Sequence, residues 1–131
     1  MNGLINDVLG KLGISPEIFD SDSCDVQITA DKKLIERVIC NLTENALKYT
    51  DYKGSVKIKL DSHSFSISNS ISADSKIDFK QIWEPYARCD NSIGIKGNGL
   101  GLSIVKSILE LHNFRFDASR TENTITFRFK F

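Results

Sequence analysis

Apolar residues recur along this chain at two spacings, and the changes between them mark out helices and strands. Leu4, Ile5, Val8, Leu9 and Leu12 keep helical spacing, which Gly13 ends. Ser15-Pro16-Glu17 reads as a short helical turn, with serine as cap, proline at the first position and an acid after it. Val26 and Ile28 alternate with Asp25, Gln27 and Thr29, which predicts a strand. A long helix is predicted from about Asp31, its N-cap, to Tyr49, with Leu34, Ile35, Val38, Leu42 and Ala46 as the buried stripe. After a turn over 51–54, Val56, Ile58 and Leu60 alternate with lysines and Phe65 and Ile67 with serines, predicting a hairpin.

Residues 69–78 read as loop, and Phe79, Ile82 and Trp83 as a short helix stopped by Pro85. The polar stretch from Tyr86 to Gly99 has the length and composition of a lid or binding loop. A second long helix covers about Leu100 to His112, and Asn113 suits the left-handed position after its end. Phe114 and Phe116 mark one strand, and Ile125, Phe127, Phe129 and Phe131 the last. Two long helices and about five strands give an α+β fold: a two-layer sandwich, with a mixed sheet covered by helices on one face. Residues 1–24 are expected to be a linker or remnant leading into a domain over 25–131.

Composition narrows the function. A chain of 131 residues fits one domain, which buries roughly two-thirds of its unfolded surface without staples. Lys plus Arg equals Asp plus Glu at 17 each, so nothing favours long-range attraction to nucleic acid or to an anionic membrane. No run has the length of a membrane-spanning helix, and no signal peptide is visible. Cys24, Cys40 and Cys89 show neither C-x-x-C spacing nor a matching His pattern, which points to a reduced, cytoplasmic domain without zinc, a bridge between one pair being the alternative.

The chemistry lies in two stretches. In Asn41-Leu42-Thr43-Glu44-Asn45-Ala46-Leu47-Lys48-Tyr49, positions 41, 45 and 48 share one helix face. Amide oxygens are hard ligands suited to Mg²⁺, which takes few protein ligands when phosphates complete its shell. Lys48 can meet a phosphate as a point charge. Tyr49 offers either a ring for a base or packing at the helix end. Glu44 is read as a surface partner of Lys48 at i,i+4. In Gly97-Asn98-Gly99-Leu100-Gly101-Leu102 the glycines open a helix, whose unpaired N–H groups and positive dipole end suit a phosphate. The spacing is neither a Walker loop nor a dinucleotide fingerprint.

Asn41-x-x-x-Asn45-Ala46-x-Lys48-Tyr49 resembles the N box of two-component sensor histidine kinases. Ile82-Trp83-Glu84-Pro85-Tyr86-x-Arg88 is similar to their F box, and Gly97-x-Gly99-Leu100-Gly101-Leu102-Ser103-Ile104-Val105-Lys106 to their second glycine box. Order and spacing match over roughly 25–131. The resemblance implies the Bergerat ATP-binding fold of the GHKL superfamily, with Mg-ATP beneath a mobile lid over about 84–98. It implies Asn45 as leading metal ligand with Asn41 beside it, Lys48 on phosphate and Tyr49 on adenine. Gly97, Gly99, Leu100, Gly101 and Leu102 would hold the triphosphate. Arg88 would meet the terminal phosphates, and Lys96 would do the same or be a solvated lid charge.

The first glycine box departs from the family's Asp-x-Gly-x-Gly and reads Asn69-Ser70-Ile71-Ser72-Ala73. Asn69 would then accept from the adenine amino group as a neutral group, at a cost on the order of 1 kcal/mol. His63 and His112 lack the setting of a phosphoacceptor. The resemblance therefore implies a histidine on a separate dimerisation domain of the parent kinase as acceptor, with a response regulator further on. The isolated domain is expected to be monomeric, and its parent is one that could be anchored in the inner membrane. Two alternatives stay open: a GHKL-type serine kinase or ATPase, and a degenerate interaction domain without nucleotide.

Overall fold

The computed structural model describes residues 1–22, 25–50, 56–73, 76, 78–84 and 101–131. Among these residues three α-helices, α1 (Asn2–Lys11), α2 (Lys32–Tyr49) and α3 (Gly101–Leu111), accompany five strands. These are β1 (Phe19–Ser21), β2 (Lys57–Leu60), β3 (Ser64–Ser70), β4 (Arg115–Arg120) and β5 (Thr124–Lys130). The sheet order is β1-β2-β3-β5-β4, parallel only between β1 and β2. Strand alternation sends Ile58, Leu60, Phe65, Ile67, Ile125, Phe127 and Phe129 to one buried face. Lysines, serines, threonines and Arg128 take the other face. All three helices lie on the apolar side, with α2 packed on α1, α3 and β3, so the expected two-layer α+β sandwich is found. Among the described residues no helix is long and apolar enough to cross a membrane.

The buried stripe of α2 is Ile35, Val38, Ile39, Leu42 and Ala46, with Leu34 only half-buried. Asp31 caps it, its Oδ1 accepting from the Leu34 N–H at 3.1 Å. The end of α3 reverses at Asn113, whose φ of 57° is the left-handed conformation that asparagine tolerates. The β2–β3 hairpin closes on Asp61, whose carboxylate accepts from the N–H groups of His63 (2.8 Å) and Ser64 (2.7 Å) and from the Ser64 hydroxyl (2.8 Å). Those bonds hold its pKa below the ordinary value, the His63 N–H being the largest cause.

Three sequence expectations are corrected. Residues 1–24, expected as a linker or remnant, pack with the domain as far as residue 22: Ile5, Val8 and Leu9 are in the core and β1 is an edge of the sheet. Val26 and Ile28 form no ladder. The N–H of Val26 instead donates to Asn2 Oδ1 (3.0 Å), while Asn2 Nδ2 donates to Ser21 Oγ (3.0 Å), so one side chain takes the place of a strand partner. The segment around Phe79 is a turn rather than a helix, organised by Asp78. Its carboxylate accepts from the Lys80 N–H, and its carbonyl from those of Gln81 and Ile82.

Candidate nucleotide-binding site

The face of α2 that carries Asn41, Asn45 and Lys48 borders the buried stripe. Asn41 and Asn45 are half-buried there, Tyr49 likewise, and Lys48 is exposed. Asn41 Nδ2 is buried and has no hydrogen-bond partner among the described residues. An unsatisfied buried polar group costs about 1–3 kcal/mol, so folding alone gives no reason for an amide at this place. A phosphate oxygen would accept from it, and the amide turned about χ2 would offer its oxygen to a cation. Among the described residues no group of three or more His, Cys, Asp and Glu gathers as a metal site. The donor set on this helix is thus amide rather than carboxylate or imidazole. It fits a magnesium ion whose shell is completed by phosphates and water, and it does not fit a stand-alone metal centre.

Thr43, Cys40 and Glu44 find partners within α2. Thr43, fully buried, donates from Oγ1 to the Ile39 carbonyl at 2.7 Å. Glu44 does not pair with Lys48 as expected; its Oε1 accepts from Cys40 Sγ at 3.6 Å. Burial, and then the Glu44 charge, push the Cys40 thiol's pKa up, so at neutral pH it is a protonated donor rather than a nucleophile.

Across from α2 stands the end of β3. Thr50 Oγ1 lies 3.2 Å from Ser70 Oγ, tying the C-terminal end of α2, where Lys48 and Tyr49 sit, to the strand that carries Asn69. Asn69 follows Phe65 and Ile67 on the helix-facing side and is 1% exposed. Its Nδ2 donates to the Ser70 carbonyl at 3.0 Å, a bond that uses the donor end of the amide and leaves Oδ1 as the acceptor. Gly101 begins α3, and a Cβ there would meet nothing within 4 Å, so core packing does not require glycine. Leu102 is half-buried against the core. At the far ends of the same helices, His112 Nδ1 donates to the Ile108 carbonyl (2.8 Å) and Nε2 accepts from the Asp31 N–H (3.1 Å). One neutral tautomer thus latches the end of α3 to the start of α2, a role with no local signal in the sequence.

The model of the histidine kinase-, DNA gyrase B- and HSP90-like ATPases matches residues 30–131. This chain belongs to that family. It is 39% identical to the sensor histidine kinase HprS of Escherichia coli strain K12, over 81% of this chain and 24% of that protein. It is 34% identical to the heme sensor protein HssS of Staphylococcus aureus strain Newman, over 96% of this chain and 29% of the relative. The chain therefore spans about a quarter of the length of these curated relatives. The catalytic domain of histidine kinase ThkA, in a nucleotide-free form, superposes with a TM-score of 0.76 at 26% identity, covering 98% of this chain and 91% of that one. ThkA is also solved in complex with the response regulator TrrA, where the TM-score is 0.72 at 25% identity over 99% of this chain and 39% of that one.

Membership of this ATPase family implies that the chain binds a nucleotide, and α2, the end of β3 and the start of α3 carry the described members of the candidate site. Arg88, Lys96, Gly97, Gly99 and Leu100 lie outside the described residues. Of the stretch similar to the F box, Ile82, Trp83 and Glu84 are described. Trp83 meets Phe116 and Phe127 edge-on, with ring centroids 5.0 and 5.5 Å away, and Glu84 pairs with Lys106 of α3 at 3.3 Å. Trp83 and Glu84 thus join this stretch to the sheet and to α3. Ile71, where the family has glycine, is 5% exposed in the core, and its N–H donates to the Asn123 carbonyl at 2.8 Å.

Proposed function

We propose that this domain binds Mg-ATP against α2 and donates the γ-phosphoryl group to a histidine on a separate dimerisation domain of the same sensor kinase, for relay to a response regulator. The observation that carries the reading is the buried Asn41 Nδ2 without a hydrogen-bond partner among the described residues, on the helix that also carries Asn45 and Lys48. Asn45 and Asn41 would hold Mg²⁺, which when bound neutralises phosphate charge and orients the triphosphate. Lys48 reaches from the exposed end of that face toward phosphate, and Tyr49 offers its ring to the base. Asn69 Oδ1 accepts from the adenine amino group. The N–H groups of Gly101 and Leu102, at the positive end of α3, bind phosphate oxygens. Arg88, Lys96, Gly97, Gly99 and Leu100 complete the phosphate contacts by motif position. The domain supplies positioning and charge rather than a general base. As the acceptor nitrogen bonds to the γ-phosphorus, the bond to the bridging oxygen breaks and ADP leaves.

Calorimetric titration with ATP, with and without millimolar magnesium, tests the binding step. Asn45→Ala is expected to abolish the magnesium-dependent part of the affinity, and unchanged affinity would mean that the helix face is misassigned. Labelled ATP with a separately expressed dimerisation domain tests the transfer. Label on serine in place of histidine would favour a GHKL serine kinase. The altered segment from Asn69 to Ala73 supports a second reading, an interaction domain without nucleotide, and absence of any heat with ATP or ADP would select it.

A further inference from the structure

β4 is the last strand of the sheet, and among the described residues nothing pairs with its outer side. The hairpin dictates which main-chain groups are left over. The Thr121 N–H donates to the Thr124 carbonyl at 2.9 Å, and antiparallel pairs alternate between bonded and non-bonded. Followed along the register, Ser119, Asp117 and Arg115 turn their N–H and C=O groups toward β5, while Phe116 and Ala118 turn theirs outward. Such a row is a template for one more strand.

The solvent-facing side chains beside that edge are mostly cationic. Arg115 stands directly opposite Lys130, and Asp117 opposite Arg128. Like charges in that position destabilise a sheet. None of Arg115, Arg128 and Lys130 joins the ion pairs formed among the described residues, and Asp117 is the one carboxylate among them. These four, with Phe114 and Phe116, line an open depression of about 460 Å³. The whole chain is neutral, so this is a local excess of positive charge. On the other side of the same strand Phe116 and Ala118 are half-buried, and Trp83 sits against Phe116.

We propose that the β4 edge docks an extended acidic segment of a partner polypeptide as a sixth strand. Its carboxylates would lie over Arg115, Arg128 and Lys130, and its alternate, small apolar side chains beside Phe116 and Ala118. A second copy of this chain fits worse, because self-pairing brings the same unneutralised cations to one seam. The probe is a labelled peptide alternating Glu and Val, followed by fluorescence anisotropy, with a Lys–Val peptide as control. The Glu–Val peptide is expected to bind, to weaken with salt, and to lose about tenfold in affinity on the paired substitution Arg115→Glu with Lys130→Glu. The amides of Phe116 and Ala118 are expected to gain hydrogen-exchange protection when it binds. Equal binding of the Lys–Val peptide would overturn the proposal, as would binding without protection at those two amides. So would a preference for phosphatidylserine vesicles over the peptide, or self-association at this edge in ultracentrifugation. ATP titration of the paired variant is expected to match the parent chain, which separates a failure here from a failure of the nucleotide reading.

Discussion

On the proposed reading, Asn41 sets stability against function within one side chain. Its Nδ2 is buried and unpaired, so a side chain of similar volume without polar atoms should suit the empty fold better. Asn41→Leu is expected to raise unfolding stability by about 1 kcal/mol while lowering nucleotide affinity about tenfold or more. Urea unfolding and calorimetry on the same preparation read the two effects, and a loss of both would make the amide a structural one. This conflict could not be seen in the sequence. Helical spacing puts positions 41, 45 and 48 on one face, but how deep that face sits depends on what packs beside it. The same holds for Glu44, whose partner i+4 on paper is Lys48 and whose partner in the fold is Cys40, one turn earlier. Cys40 carries its own consequence. A thiol whose folded pKa lies above its unfolded value contributes stability below the ordinary thiol pKa of about 8.5, and that contribution is lost as pH rises further. Replacing Cys40 with Ala should therefore flatten the decline of stability above about pH 8.5 in urea melts.

Elements whose signal is local were legible, and those defined by a distant partner were not. The stripe of α2, the left-handed Asn113 and the alternation of β2, β3 and β5 all follow from side-chain period and cap chemistry. Val26 and Ile28 alternate as a strand does, yet Asn2, far away in sequence, takes the Val26 N–H and leaves no ladder to form. The His112 latch between the end of α3 and the start of α2 is equally silent in the sequence, because its two ends are 81 residues apart. His112→Ala is expected to cost about 1 kcal/mol through the lost acceptor for the Asp31 N–H, measured by urea unfolding. The Asp61 turn gives a pH signature of its own. Its folded pKa is depressed, so its contribution is complete above the ordinary aspartate value of about 3.9 and lost as pH falls below it. Asp61→Asn should remove that part of the acid sensitivity of the β2–β3 hairpin, followed by hydrogen exchange between pH 5 and 3, roughly the window in which such a carboxylate titrates.

At the scale of the whole molecule, the question is where the folding unit begins. The family match starts at residue 30, and the periodicity of Leu4 to Leu12 reveals a helix without revealing what it covers. In the fold α1 lies on α2, with Ile5, Val8 and Leu9 at most 1% exposed, and Lys11 pairs with Glu36 of α2. β1 adds a parallel strand beside β2, in register from Phe19↔Ile58 to Ser21↔Leu60. Helix α2 is therefore packed on α1 as well as on α3 and the sheet, and it is the helix against which the proposed nucleotide site lies. Each fully buried aliphatic side chain contributes about 1.5–3 kcal/mol against exposure, and a domain's whole margin is about 5–15 kcal/mol. Losing three such side chains together with an edge strand removes a large part of that margin. A chain cut to 25–131 is expected to unfold or aggregate at ordinary temperature, whereas Leu9→Ala in the full chain should cost about 2–5 kcal/mol and still fold. Urea unfolding of the full chain, its Leu9→Ala variant and the truncated form decides the point. A truncated form with full stability and full nucleotide affinity would return α1 and β1 to the role of a linker.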